Sequence, residues 1–190
     1  MNHSCAANVV WSYKRDNPLT KEVRALRDIA PGEELCPNYI DSFDNTFSSS
    51  RDRKTLLLKR WKFECECRVC NLEELKQNED DQRRLEIRSL HQSIPALMTE
   101  WRVAEALRAA EKKLSLMMKM QEEMRTMIPS AMLEVVEMSE LSKMKKIKNL
   151  PDHSHYIKEA AVLSEQLGDS FVDVMNQKLV QIQQECQSLQ

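Results

Sequence analysis

Residues 63–70 read Phe63-Glu64-Cys65-Glu66-Cys67-Arg68-Val69-Cys70, and the three thiols in this stretch decide how the rest is read. The spacing is Cys-x-Cys-x-x-Cys, one thiolate short of the four ligands that close a tetrahedral structural zinc site. Disulfides between neighbours this close are strained. In a reducing compartment, thiols at such density hold metal or do redox chemistry. A fourth ligand must come from elsewhere. Cys5, in Asn2-His3-Ser4-Cys5, is the best candidate, with His3 and His91 as competitors.

Composition narrows the classes. A chain of 190 residues suits one domain or two small ones, and 42% apolar with 31% charged residues describes a globular protein. The net charge of −2 offers no global attraction to nucleic acid or an anionic membrane. No run of about 18 apolar residues is present to span a bilayer, and the first residues lack the charged and apolar regions of a signal peptide. An intracellular location, nuclear or cytoplasmic, follows as the expectation. Only Gly32 and Gly168 are present, which excludes the glycine-rich loops that cradle phosphates and dinucleotides.

Taken in order, Val9-Val10-Trp11 reads as a strand, Asp16-Asn17-Pro18 as a turn and Glu22 to Leu26 as a returning strand with Val23 and Ala25 on one face. Ala30-Pro31-Gly32-Glu33 fits a type II turn, from which Glu34-Leu35-Cys36 leads towards Tyr39. Two or three short strands cannot close a β core, and their open edges call for a missing partner on the N-terminal side. Ser42 to Ser50 reads as a loop. Arg51 to Trp61 reads as a short basic helix with Leu57, Leu58 and Trp61 on one face.

Beyond Asn71 the residues are strong helix formers. The expected helices are Leu72 to Leu90, ending before Pro95; Glu100 to Met127, capped by Thr99 and stopped by Pro129; and Ser130, as a cap, to Lys148. A break at Asn149-Leu150-Pro151-Asp152 precedes an antiparallel pair, His153 to Leu167 and Asp169 to Leu189, with Gly168 as the cap between them. Ala104, Leu107, Leu114, Met117, Met124 and Ile128 form an apolar seam. The methionines at 117, 118, 120, 124 and 127 therefore read as an adaptable core before a binding groove. His153, His155 and Cys186 receive no role, and the lysines between 143 and 148 read as a solvated helix face.

Three motifs in this order and spacing carry a resemblance: Asn-His-Ser-Cys at 2–5, Pro-Gly-Glu-Glu-Leu-x-x-x-Tyr-x-Asp at 31–41 and Phe-x-Cys-x-Cys-x-x-Cys at 63–70. Together they resemble the second half of a SET domain and its post-SET zinc site, as in the SET-and-MYND (SMYD) protein-lysine methyltransferases. The resemblance implies an α+β protein. A small β-rich partial SET domain (1–50) would be followed by a zinc-bound post-SET segment (51–71) and an all-α, TPR-like region (72–190). Asn2, His3 and Phe63 would contact S-adenosylmethionine, and Tyr39 would be the active-site tyrosine. Cys5, Cys65, Cys67 and Cys70 would hold one structural zinc ion.

The implied substrate is a protein lysine, histone or non-histone, and the C-terminal helices would offer a surface to a protein partner. Ala7 stands where the family usually has proline before Asn8. The family's glycine-containing cofactor loop, first SET strands and MYND finger would lie upstream, so the expectation is a C-terminal portion of a longer methyltransferase, incomplete as an enzyme. The rivals are a non-catalytic zinc-stabilised interaction module and a structural domain with redox-sensitive cysteines.

Overall fold

The computed structural model describes residues 1–17, 19–40, 42–148 and 150–188. The readings placed on Pro18, Asp41 and Asn149, and the helix end expected at Leu189, lie outside them. Among the described residues the fold is mostly helical. It runs β1 (Val9–Tyr13), β2 (Lys21–Ala25), α1 (Phe43–Thr46), α2 (Ser50–Trp61), α3 (Glu74–Thr99), α4 (Val103–Met118), α5 (Gln121–Met124), α6 (Ile128–Met144), α7 (His155–Leu167) and α8 (Asp169–Ser188). β1 and β2 pair as the one two-stranded sheet among these residues. No described helix is long and apolar enough to cross a membrane. The chain divides into two compact units, Met1–Val10 with Ala25–Ser89, and Trp11–Arg24 with Leu90–Gln190.

In the first unit the expected third strand is replaced by irregular backbone fastened through Asn8. This buried side chain donates from Nδ2 to the Glu34 carbonyl at 2.8 Å and to Glu33 Oε1 at 3.0 Å, while its Oδ1 accepts the Cys36 N–H at 2.8 Å. Its own N–H donates to the Cys36 carbonyl, and its carbonyl accepts the Leu26 N–H. An asparagine amide can donate and accept at once, so one residue satisfies backbone groups that a ladder would otherwise pair.

The turn at Ala30–Glu33 forms as expected. The Glu33 N–H donates to the Ala30 carbonyl at 3.0 Å, with Gly32 at φ +82°. Arg27, the Ala30 N–H and Asn8 converge on the Glu33 carboxylate and draw its pKa down to about 2.

The stretch Ser42–Ser50 is not all loop. Ser42 accepts the Asn45 N–H and starts α1, and Ser49 accepts the Asp52 N–H at 3.2 Å to start α2. On α2 the buried stripe is Arg53 and Leu57, whereas Leu58 and Trp61 face outward, contrary to the expected leucine face. The expected pairing of Val23 with Ala25 on one face of β2 holds, and that face is the exposed one.

In the second unit α6 is buried on nearly every side and packs against α4, α7 and α8, as a helix apolar all round must. Leu107, Leu114, Met117, Met124 and Ile128 are core residues. The helix limits depart from expectation for local reasons. α3 continues through Pro95 to Thr99, because the proline sits on an exposed face and costs one backbone bond. Thr99 is no cap: its hydroxyl donates back to the Pro95 carbonyl at 3.0 Å. Pro129 begins α6 rather than ending a helix, since the first turn needs no N–H from it. The single long helix expected over 100–127 is α4 and the short α5, separated by a turn.

With two glycines in the chain, other residues take the left-handed cap positions. Lys62 ends α2 at φ 63°, Trp101 follows α3 at φ 55° and Lys146 follows α6 at φ 55°. Around Trp101 the Arg102 N–H reaches the Leu97 carbonyl and the Trp101 N–H the Met98 carbonyl, the paired bonds of a Schellman cap. Gly168 joins α7 to α8 at φ +112°, ψ 172°, a region reserved for glycine.

These outcomes are expected in urea denaturation. Asn8→Ala strands buried backbone groups of Glu34 and Cys36 and lowers stability by about 2–4 kcal/mol, and Asn8→Asp, which cannot donate, fares no better at neutral pH. Gly168→Ala places a Cβ 2.6 Å from Ser12 Oγ and loses about 1–3 kcal/mol, whereas Lys146→Gly relieves left-handed strain and gains about 1 kcal/mol. The Glu33 pKa is lowered on folding, so its contribution is complete above about 4.5 and fades as pH falls towards about 2. The stability gap between wild type and Glu33→Gln closes over that window; a pH-independent gap contradicts it.

Candidate functional site

The site lies in the first unit, where the short segment before β1 meets the segment that leaves α2. Left-handed Lys62 turns the chain out of α2, so that Phe63 and the three cysteines run back along the segment carrying residues 2–6. The Cys70 and Asn71 N–H groups both donate to the Cys67 carbonyl, folding Cys67–Cys70 into a tight turn that aims both thiols the same way. Cys5, Cys65, Cys67 and Cys70 then bring their sulfurs within 4.8 Å of one another. This group is all-cysteine, and neither His3 nor His91 belongs to it. It sits in an apolar cluster with Ala6, Ile40, Leu57 and Val69.

Four thiolates this close repel, so their protons are shared unequally. Hydrogen bonding from Cys5 draws Cys65 far below the thiol range and Cys67 down to about 5. Cys5 is pushed far up by its bonds to Cys65, Cys67 and Cys70 and by burial. For Cys70 the bond with Cys5 pulls downward, but Cys65, Cys67 and burial outweigh it and the thiol is raised. A divalent cation among the four sulfurs lets all of them ionise together. The closed donor set leaves no open position for a water, which makes such a centre structural.

His3 joins this cluster to Tyr39. The ring is buried, and its Nδ1 accepts the Tyr39 N–H at 2.9 Å. The proton therefore sits on Nε2, which lies 3.2 Å from Cys5 Sγ and donates towards it. The Tyr39 hydroxyl donates to the Met1 carbonyl. Around the phenol stand the rings of His3 at 5.3 Å, Trp61 at 5.6 Å and Phe63 at 6.4 Å, the last edge to face. Asn2 donates from Nδ2 to Glu34 Oε1 at 2.5 Å. A cavity of about 730 Å³ opens against Asn2, His3, Tyr39, Trp61 and Phe63, with Cys65 and Cys67 along its edge.

All eight residues singled out from the sequence are thus gathered in one place. Sequence reasoning passed over three others. Trp61 was read as helix packing, though it stands two residues before Phe63 and lines the cavity. Arg53 lies in the helix that reads as basic, off its expected apolar face, and is buried. Asn8 carried no signal beyond its place after Cys5.

Comparison with known proteins agrees with this geometry. A family model described as SET domain matches residues 1–40. The chain is 40% identical over 91 residues to the N-lysine methyltransferase SMYD2 of Gallus gallus and 39% identical over 90 residues to that of Homo sapiens, covering 48% and 47% of this chain and 18% of each relative. It is 40% identical over 78 residues to the histone-lysine N-methyltransferase set5 of Schizosaccharomyces pombe, covering 40% of this chain and 22% of that protein. The chain thus spans about a fifth of the length of the curated relatives it matches. Residues 1–40 thus match the SET domain, and over the aligned residues the chain, with its motifs and thiol cluster, is similar to SMYD-like SET-domain proteins.

Proposed function

We propose that the chain serves an S-adenosylmethionine-dependent protein-lysine N-methyltransferase of the SET type, inside the cell, in nucleus or cytoplasm. The supporting observation is that Asn2, His3, Tyr39 and Phe63, spread over the first third of the sequence, line one cavity beside a four-thiol cluster. In this reading residues 1–50 form the C-terminal part of the SET fold, 51–71 the post-SET segment and 72–190 a TPR-like helical region.

S-Adenosylmethionine, when bound, supplies an electrophilic methyl group on a sulfonium. The aromatic walls suit a flat adenine and a cationic donor, because ring faces attract cations. Asn2 and His3 would border the cofactor and Phe63 would pack against its ring. Zinc fits the four cysteines: their sulfurs converge, and N–H donors from His3 and Arg53 approach Cys5 and Cys70. It would fix the Phe63 segment against Asn2 and His3.

A substrate lysine, of ordinary pKa about 10.4, must arrive neutral to attack, and desolvation against the aromatic rings would favour loss of its proton. The Tyr39 hydroxyl spends its proton on the Met1 carbonyl, so its oxygen is free to accept an amine N–H and orient the nucleophile. Tyr39 aligns and does not attack. The substrate would be a histone or another protein. Val162 on α7 with Val174 and Val180 on α8, all half-exposed, favour a second reading in which the helices hold a protein partner and the SET segment is scaffold.

Labelled S-adenosylmethionine and metal analysis on the purified chain test this. Binding by wild type is expected to be lost in His3→Ala and kept in Tyr39→Phe. Zinc near one per chain is expected, and Cys67→Ser should release it. Zinc without cofactor binding selects the scaffold reading; neither zinc nor cofactor overturns both.

A further inference from the structure

Four thiolates around one divalent cation carry a net charge of about −2, and burying that charge is costly without a compensating positive group. α2 brings one. Arg53 is 1% exposed, one turn before Leu57 on the buried stripe of α2. Its Nη1 donates to the Ser48 carbonyl at 2.5 Å, its Nη2 lies 3.7 Å from Cys70 Sγ, and its Nε has no partner.

A guanidinium so far from water needs a counter-charge. The two nearby carboxylates are engaged elsewhere. Asp80 accepts from Arg84 Nε at 2.6 Å, and Asp81 accepts the Ser50 N–H and hydroxyl at 2.7 and 3.0 Å. Both form long ion pairs with Arg53 at 3.9 Å, beyond hydrogen-bond reach, so they offset part of its charge without engaging its N–H groups. The thiolate cluster is the third anionic group against this guanidinium, and Cys70 is the one its N–H reaches by a hydrogen bond.

We infer that Arg53 is the counter-ion of the four-thiolate centre, a positioning residue that sets how tightly the metal is held and how much charge Cys70 carries. This rests on the zinc reading above. Arg53 acts through Cys70: its N–H and positive charge draw density from that sulfur and offset the repulsion among the four. His3 does the corresponding work at Cys5 with a neutral ring, so the charge compensation falls to Arg53 alone of the two.

The test is zinc affinity of the full chain by competition with a chromophoric chelator, with the cobalt(II)-substituted protein as the spectroscopic arm. Arg53→Met should hold zinc about 10- to 100-fold more weakly. Its thiolate-to-cobalt charge-transfer band should move to lower energy, because an uncompensated thiolate gives up charge more readily. Arg53→Lys, which keeps the charge but not the fork, should recover part of both effects. A merely structural arginine would lower the melting temperature and leave the band in place.

Wild-type affinity and an unmoved band in Arg53→Met overturn the inference, as does an Arg53→Lys variant no better than Arg53→Met. Should Arg53→Met not fold, Arg53→Lys decides alone, since wild-type affinity and band there are equally fatal. A wild-type chain that takes up neither metal marks failure of the zinc reading itself, and the inference falls with it.

Discussion

The meeting of Cys5 with Cys65, Cys67 and Cys70 is the constraint on which the first unit depends. Its sulfur pair Cys5–Cys70 joins positions 65 residues apart. A metal ion held by all four thiols would close a loop of that length and remove about 4 kcal/mol of chain entropy from the unfolded state. Short irregular segments with little regular hydrogen bonding need such a tie, because two strands alone are marginal in water. The cavity is a consequence of the same closure: Phe63 and Trp61 come from one side of the knot, Asn2 and His3 from the other, and Tyr39 is held between them by the His3 ring.

Polar groups do much of the structural work around that knot. Asn8 answers backbone donors and acceptors with a single amide, and Arg53 sets a charge into the cluster where a leucine would add only area. Asn8 is fully partnered and Arg53 is partnered at both Nη atoms, and each ties the packing to a definite arrangement of neighbours that a purely apolar residue would not specify. The cost is sensitivity: loss of one partner leaves a buried group stranded.

The helical unit follows a different logic. Its core is a methionine- and leucine-rich seam around α6, tolerant of irregular gaps, with a buried ion pair between Lys113 and Glu134 inside it. Scarcity of glycine shows at the helix ends, where Lys62, Trp101 and Lys146 accept left-handed backbone. Gly168 is kept where a side chain would strike Ser12.

Much was legible in the residues alone. The thiol spacing, the Ala30–Glu33 turn, the hairpin, the helical composition after Asn71 and the Gly168 junction are local patterns, set by bond geometry, backbone preference and ligand count within a few positions. What only the tertiary structure decided is where groups distant in sequence meet. It chose Cys5 over His3 and His91 beside the three thiols, turned Arg53 inward and Leu58 outward on the same helix, let α3 run past Pro95, and made Trp61 part of the cavity wall. Periodicity tells which residues share a face. Which face is buried depends on what the other end of the chain presents to it, and that is a property of packing and charge balance, not of any local stretch.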